Sequence, residues 1–170
     1  MEGLRELLKS SMKCLAQATA ALADGLSGLA QRTRSEAAGL YARYASYDLR
    51  KYGMLLRSAI EALGSNPDEP AEGCVKAIGQ PIVDLLNEAL KILSSGSTDL
   101  VRLVEVGRVL AERAMVHALA YAKAFTMLST GHEHLVIAFE AAARDLRSHL
   151  EVLDKLKPLV EKEVNATAYA

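Results

Sequence analysis

Ala45-Ser46-Tyr47-Asp48-Leu49-Arg50-Lys51-Tyr52 and Ala142-Ala143-Arg144-Asp145-Leu146-Arg147-Ser148-His149 are two versions of one pattern. Their common core, Asp-Leu-Arg-x-(Tyr or His), recurs at a constant offset of 97 residues, from 48 to 145 and from 52 to 149. Each copy lies a similar distance past a short polar break, Gln31-Arg32-Thr33-Arg34 for the first and Ser129-Thr130-Gly131 for the second. Matching motifs at matching places point to an internal duplication of a helical hairpin.

Working outward, breaker residues divide the chain. A first helix is predicted from about Gly3 to Ala30, and a second begins after Ser35, a good N-cap, and runs to Leu63. Gly64-Ser65-Asn66-Pro67 stops it. A long connection containing Pro70, Gly73, Gly79 and Pro81 follows, and its apolar positions after Pro81 predict a shorter helix ending at Ser94-Ser95-Gly96. Ser97, Thr98 or Asp99 caps a third long helix reaching Leu128. The fourth runs from about His132 to Val164, with a kink expected at Pro158. Two tight turns and one long connection predict a four-helix bundle of two duplicated antiparallel hairpins, joined by a crossover that carries a short extra helix.

Composition agrees with an all-α chain forming one domain over residues 1–170. Apolar residues make up 51% but aromatics only 5%, with no Trp, and no alternating runs mark strands. The formal charge of −1, from 20 basic and 21 acidic residues, lacks the basic excess of a nucleic-acid binder. Glu2, Arg5, Glu6, Lys9 and Lys13 interrupt the first helix, so no leader is expected. The most apolar window, 114–125, carries His117 and Lys123 and is too short for a bilayer, so no membrane partner is expected. Cys14 and Cys74 fit no metal or redox spacing and are expected to be reduced, buried small hydrophobes in a cytoplasmic protein.

Helical periodicity of about 100° per residue assigns faces. On the second helix Glu36, Arg43, Arg50, Arg57 and Glu61 form an outer stripe, with Asp48 and Tyr52 opposite it. On the fourth, Glu140, Arg144, Arg147, Glu151 and Asp154 face out, with Asp145 and His149 opposite. The first and third helices add Ser11 and Tyr121 to otherwise apolar inner faces. The expected interior polar cluster is therefore Asp48, Tyr52, Tyr121, Asp145 and His149. An unpartnered buried carboxylate is expensive, so such a cluster must be hydrogen-bonded.

A duplicated hairpin, one crossover and a polar cluster midway along each second arm resemble the ferritin-like superfamily, which includes the rubrerythrins. In that family each second arm carries Glu-x-x-His and each first arm a Glu, and together these hold two metal ions. The matching tetrads here are Leu49-Arg50-Lys51-Tyr52 and Leu146-Arg147-Ser148-His149, so only His149 survives as a ligand type. The resemblance thus implies a bundle without a complete di-iron site. The leading expectation is a non-catalytic binding, scaffold or oligomerisation protein with no cofactor.

Two alternatives carry chemistry. A single iron, manganese or zinc ion would use Asp145 and His149, with Asp48, as ligands. Arg144 and His149 also fit the Arg-(four residues)-His spacing of HEPN-type ribonucleases, in which His would move a proton and Arg would stabilise phosphorane-like charge. Gly131-His132-Glu133-His134 reads as an exposed turn with Glu133 favourably placed at a helix start. Tyr41, Tyr44, Tyr47 and Tyr52 read as aromatic packing in a core or a dimer seam. Apolar residues beyond the core stripes, namely Met54, Ile60, Met115, Val136 and Ile137, predict self-association, as a homodimer.

Overall fold

The computed structural model describes residues 2–95, 99–128 and 131–168. Among them there is no strand, and the helices are α1 (Glu2–Arg32), α2 (Glu36–Ala62), α3 (Cys74–Ile78), α4 (Gln80–Ser94), α5 (Leu100–Met127) and α6 (Glu133–Ala168). Among the described residues no helix is long and apolar enough to cross a membrane. The crossover holds two helices where one was expected, because α3 forms a short turn of helix before Gly79. Pro158 lies inside α6, which continues beyond it to Ala168. Ser97 and Thr98, offered as caps, and Ser129 and Thr130 of the second turn lie outside the described residues; Asp99 does cap α5, accepting from the Arg102 amide at 3.1 Å.

Local chemistry fixes the ends of α2. The Ser35 hydroxyl oxygen accepts from the Ala38 amide at 3.0 Å, and it also donates to the Glu163 carboxylate of α6 at 2.5 Å. Glu163 further accepts from the Ala37 amide at 3.3 Å, so an anion from α6 sits at the positive end of α2. At the other end Gly64 takes φ 74°, the Gly64 amide donates to the Glu61 carbonyl at 2.8 Å, and the Ser65 amide donates to the Ile60 carbonyl at 3.1 Å. That is a Schellman stop, for which glycine suits the left-handed position.

α1 packs on α2 and α5 on α6; α2 packs on α6, and α4 packs on both α1 and α5. Ser27 meets Ser46 at 2.7 Å, and a Cβ on Gly53 would come within 2.9 Å of Thr19 Oγ1. Those pairs show α1 and α2 antiparallel and pressed together at small residues. Apolar side chains collect in two clusters. One, toward the start of α1, holds Leu8, Met12, Leu56, Phe125 and Phe139. The other, toward its end, holds Leu22, Leu26, Tyr41, Val104, Leu153 and Val160. Ile60, expected among residues left over for a partner, is fully buried in the first cluster, because the stripe that packs α2 on α1 is wider than the a/d positions alone.

The cysteines correct the sequence expectation. Cys14 of α1 and Cys74 of α3 form a disulfide that closes a separation of 60 residues. Cysteine spacing along the chain could not reveal it, since the connection between α2 and α4 folds back beside α1. Polar contacts run along the same strip: Ser10 Oγ donates to the Glu72 carbonyl at 3.2 Å, Lys13 pairs with Glu69 at 2.5 Å, and the Gln17 amide nitrogen donates to the Glu69 carbonyl at 3.0 Å. Reduced thiols were one ground for expecting a cytoplasmic location, beside the charged first helix, and the disulfide removes that ground.

Candidate functional site

Between the two apolar clusters lies a central cavity of about 90 Å³ bounded by five helices. Its walls are leucines and alanines for the most part: Leu15, Ala18 and Leu22 from α1, Leu49 from α2, Leu86 from α4 and Leu110 from α5 are representative. The polar groups on the lining are few, and each has a distinct state.

On one side, at the α2–α6 seam, His149 Nδ1 meets Asp48 Oδ2 at 2.6 Å. The Tyr44 ring stacks on the imidazole, with centroids 5.0 Å apart and planes within 10°. The His149 side chain is 6% exposed and that of Asp48 15%, so both polar groups would be poorly solvated without each other. A carboxylate that holds a buried imidazole and an aromatic ring that covers it fix the ring's orientation.

The lining hydroxyls are spoken for. Thr19 donates to the Ala16 carbonyl at 2.9 Å, Tyr41 to the Leu103 carbonyl and Tyr52 to the Ala114 carbonyl, each at 3.5 Å. Burial drives the phenols of Tyr41 and Tyr52 well above their usual range. They remain neutral donors, and none is set up as a nucleophile or a base near His149. Tyr121, deeper in the first cluster, is likewise raised by burial and shares a 2.5 Å hydrogen bond with Ser11.

Tyr41 also explains a glycine. A Cβ on Gly107 would overlap the Tyr41 hydroxyl. Gly107→Ala should therefore push Tyr41 off its place on the cavity wall and destabilise the fold by about 1–3 kcal/mol, the cost of overpacking, read as a lower midpoint in urea with an unchanged slope.

On the other side, α5 presents Arg113 and His117, one helical turn apart, to the same cavity. His117 is half-buried; burial first, and the Arg113 charge second, hold its imidazole below the ordinary value. The unfolded chain therefore binds a proton at His117 more readily than the folded one does. Stability contributed here is present above the ordinary histidine pKa of about 6.5 and is lost as pH falls below it. Between pH 7 and pH 5 the wild type should lose more stability than His117→Gln, measured by urea denaturation of both at each pH.

The expected polar cluster is thus brought together only in part. Tyr52, Tyr121 and His149 are buried, and Asp48 is nearly so. Asp145 is not: its side chain is 57% exposed and pairs with Lys51 at 2.8 Å. α2 and α6 close on each other at His149 but leave a groove of about 290 Å³ one turn earlier, lined by Lys51, Leu55, Ala138, Ala141 and Asp145. The small alanines there leave the space between the helices unfilled, and the position that repeats Asp48 is open to water. Asp145→Ala should consequently change stability by under about 1 kcal/mol, as expected for an exposed pair.

The same geometry bears on the two chemical alternatives. His149 Nδ1 is committed to Asp48, and Asp145 to Lys51; among the described residues no group of three His, Cys, Asp or Glu side chains converges as metal ligands. The donor set does not fit a mononuclear metal built on Asp48, Asp145 and His149. Arg144 is exposed while His149 is buried beneath Tyr44, so the two do not share a pocket within one chain. In the turn segment, the Glu133 carboxylate accepts from the Gly131 amide at 3.1 Å and the His132 ring sits edge-on to Phe125. Arg113 and His117 were missed as a pair because only the position of α4 makes them line a cavity.

Comparison of the chain with protein-family models, with curated proteins and with solved structures gives no match.

Proposed function

We propose that this chain is a non-catalytic binding protein whose central cavity takes a small apolar molecule or the apolar end of a larger one. The observation that carries this reading is the cavity itself: about 90 Å³ of leucine-walled space at the junction of two well-packed clusters. Close packing is the rule inside proteins, and an apolar cavity binds apolar guests; an engineered cavity of about 150 Å³ accepts benzene. A void of this size fits a chain of a few carbons. The Asp48–His149 pair then closes one wall of the site and fixes how α2 meets α6. With the lining hydroxyls tied to carbonyls, binding rather than group transfer is the activity the wall supports.

A ferritin-like ancestry belongs to the same reading: what supports it is the pairing of α1 with α2 and α5 with α6 across a long crossover, together with the repeated Asp-Leu-Arg pattern. Leu49 and Leu146 stand where the family's bridging glutamates would be, so the interior space is apolar where the relatives would be charged.

Titration calorimetry with hexan-1-ol tests the proposal. Saturable binding at one site should be lost in Ala18→Leu, whose added carbons fill the cavity while raising or preserving the melting temperature. Equal binding by both proteins, or none by the wild type, overturns it.

Self-association is a second reading, favoured by Leu40, Tyr47 and Met54, which recur every seven residues on α2 and are 53%, 69% and 69% exposed. Sedimentation should give a dimer that Tyr47→Glu dissociates; a monomer at high concentration excludes it.

A further inference from the structure

The cavity wall is asymmetric in charge. Apart from the neutral tyrosines, its ionisable groups are Asp48, His149, Arg113 and His117. Asp48 and His149 satisfy each other at 2.6 Å. Among the described residues Arg113 and His117 have no carboxylate partner: the nearest acid along α5, Glu112, turns to Arg108 at 3.7 Å, and the charge that acts on His117 is that of Arg113. Neither Arg113 nor His117 forms a hydrogen bond or an ion pair among the described residues. A guanidinium and an imidazole on one face of a helix, beside an apolar void and without a counter-charge, offer a seat for an anion at the cavity edge.

Resting on the binding reading above, we propose that the ligand is a short-chain monocarboxylate, with its alkyl tail among the leucines and its carboxylate on Arg113 and His117. The tail accounts for the apolar void and the head for the unpaired guanidinium with its neighbouring imidazole, two independent features met by one molecule. A cationic amphiphile would set like charges together at the same edge, and a neutral one would leave Arg113 without a partner.

Calorimetric titration of the full chain with hexanoate, hexan-1-ol and hexylammonium, at one ionic strength, tests this. Hexanoate should bind the wild type roughly threefold to tenfold more tightly than hexan-1-ol, an advantage that shrinks as salt is added because Arg113 is exposed. In Arg113→Gln the affinity for hexanoate should fall to that of the same variant for hexan-1-ol, and Arg113→Glu should make hexylammonium the preferred probe. Hexanoate binding no more tightly than hexan-1-ol, or keeping its advantage in both Arg113→Gln and His117→Gln, overturns the proposal and leaves the apolar site intact. Failure of all three probes, or undiminished binding in Ala18→Leu, overturns the cavity reading and this one with it.

Discussion

Replacing Cys14 and Cys74 together with serine should cost about 4 kcal/mol of unfolding free energy. The disulfide closes a loop of 60 residues, and in the chain-entropy account a cross-link of that span removes about 4 kcal/mol worth of freedom from the unfolded ensemble, between the values for loops of about 15 and 100 residues. For a chain of 170 residues that is a fall in melting temperature of about 8–16 °C. The native contacts along the strip, Ser10 with Glu72, Lys13 with Glu69 and Gln17 with Glu69, survive the substitution, so the folded state should keep its helix content. Thermal unfolding followed by circular dichroism, with and without reductant, makes the comparison. The wild type in reductant should match the double variant, and the double variant should ignore reductant. A wild-type midpoint that does not move on reduction would refute the account.

The disulfide also marks where sequence reading ends. Helix boundaries were legible because they depend on neighbours in the chain: Ser35, Gly64 and Asp99 act within a turn of their own positions. The outer stripes were legible for the same reason, and Arg43, Arg50, Arg144 and Arg147 all face water. Contacts decided by how helices approach were not. Cys74 reaches Cys14 because the crossover runs back along α1. Asp145 is exposed because the α2–α6 seam, lined there by Ala138, Ala141 and Ala142, is left unfilled one turn from the place where it closes on His149. The repeat was a good guide to Tyr52 and His149, both buried, and a poor one to the aspartates, since equivalent positions on two helices need not meet equivalent neighbours. Arg113 and His117 acquire meaning only once α4 is seen packed on α1 and α5.

The second large effect is expected at the Asp48–His149 pair, and its pattern across variants says more than its size. His149→Ala removes a ring stacked on Tyr44 and leaves a carboxylate, its side chain 15% exposed, with only the longer 3.8 Å ion pair to Lys51. Losing a buried partner of this kind should cost about 3 kcal/mol, near the lower end for broken buried pairs because some water still reaches Asp48. Asp48→Ala keeps the stack but leaves Nδ1 without its acceptor, at about 2 kcal/mol. The double change to alanine should cost less than the two single changes added together, by about 1 kcal/mol or more, since each single variant already carries the penalty of an unsatisfied partner. Combining Asp48→Leu with His149→Phe preserves shape and the stack on Tyr44 while removing both polar groups. That variant should lie close to the wild type in stability, because a buried polar pair is exchanged for apolar packing without leaving anything unpaired. Urea denaturation of the full set measures the coupling. Strict additivity of the single changes would mean that the 2.6 Å contact does not form in solution, and the α2–α6 wall of the cavity would then need a different explanation.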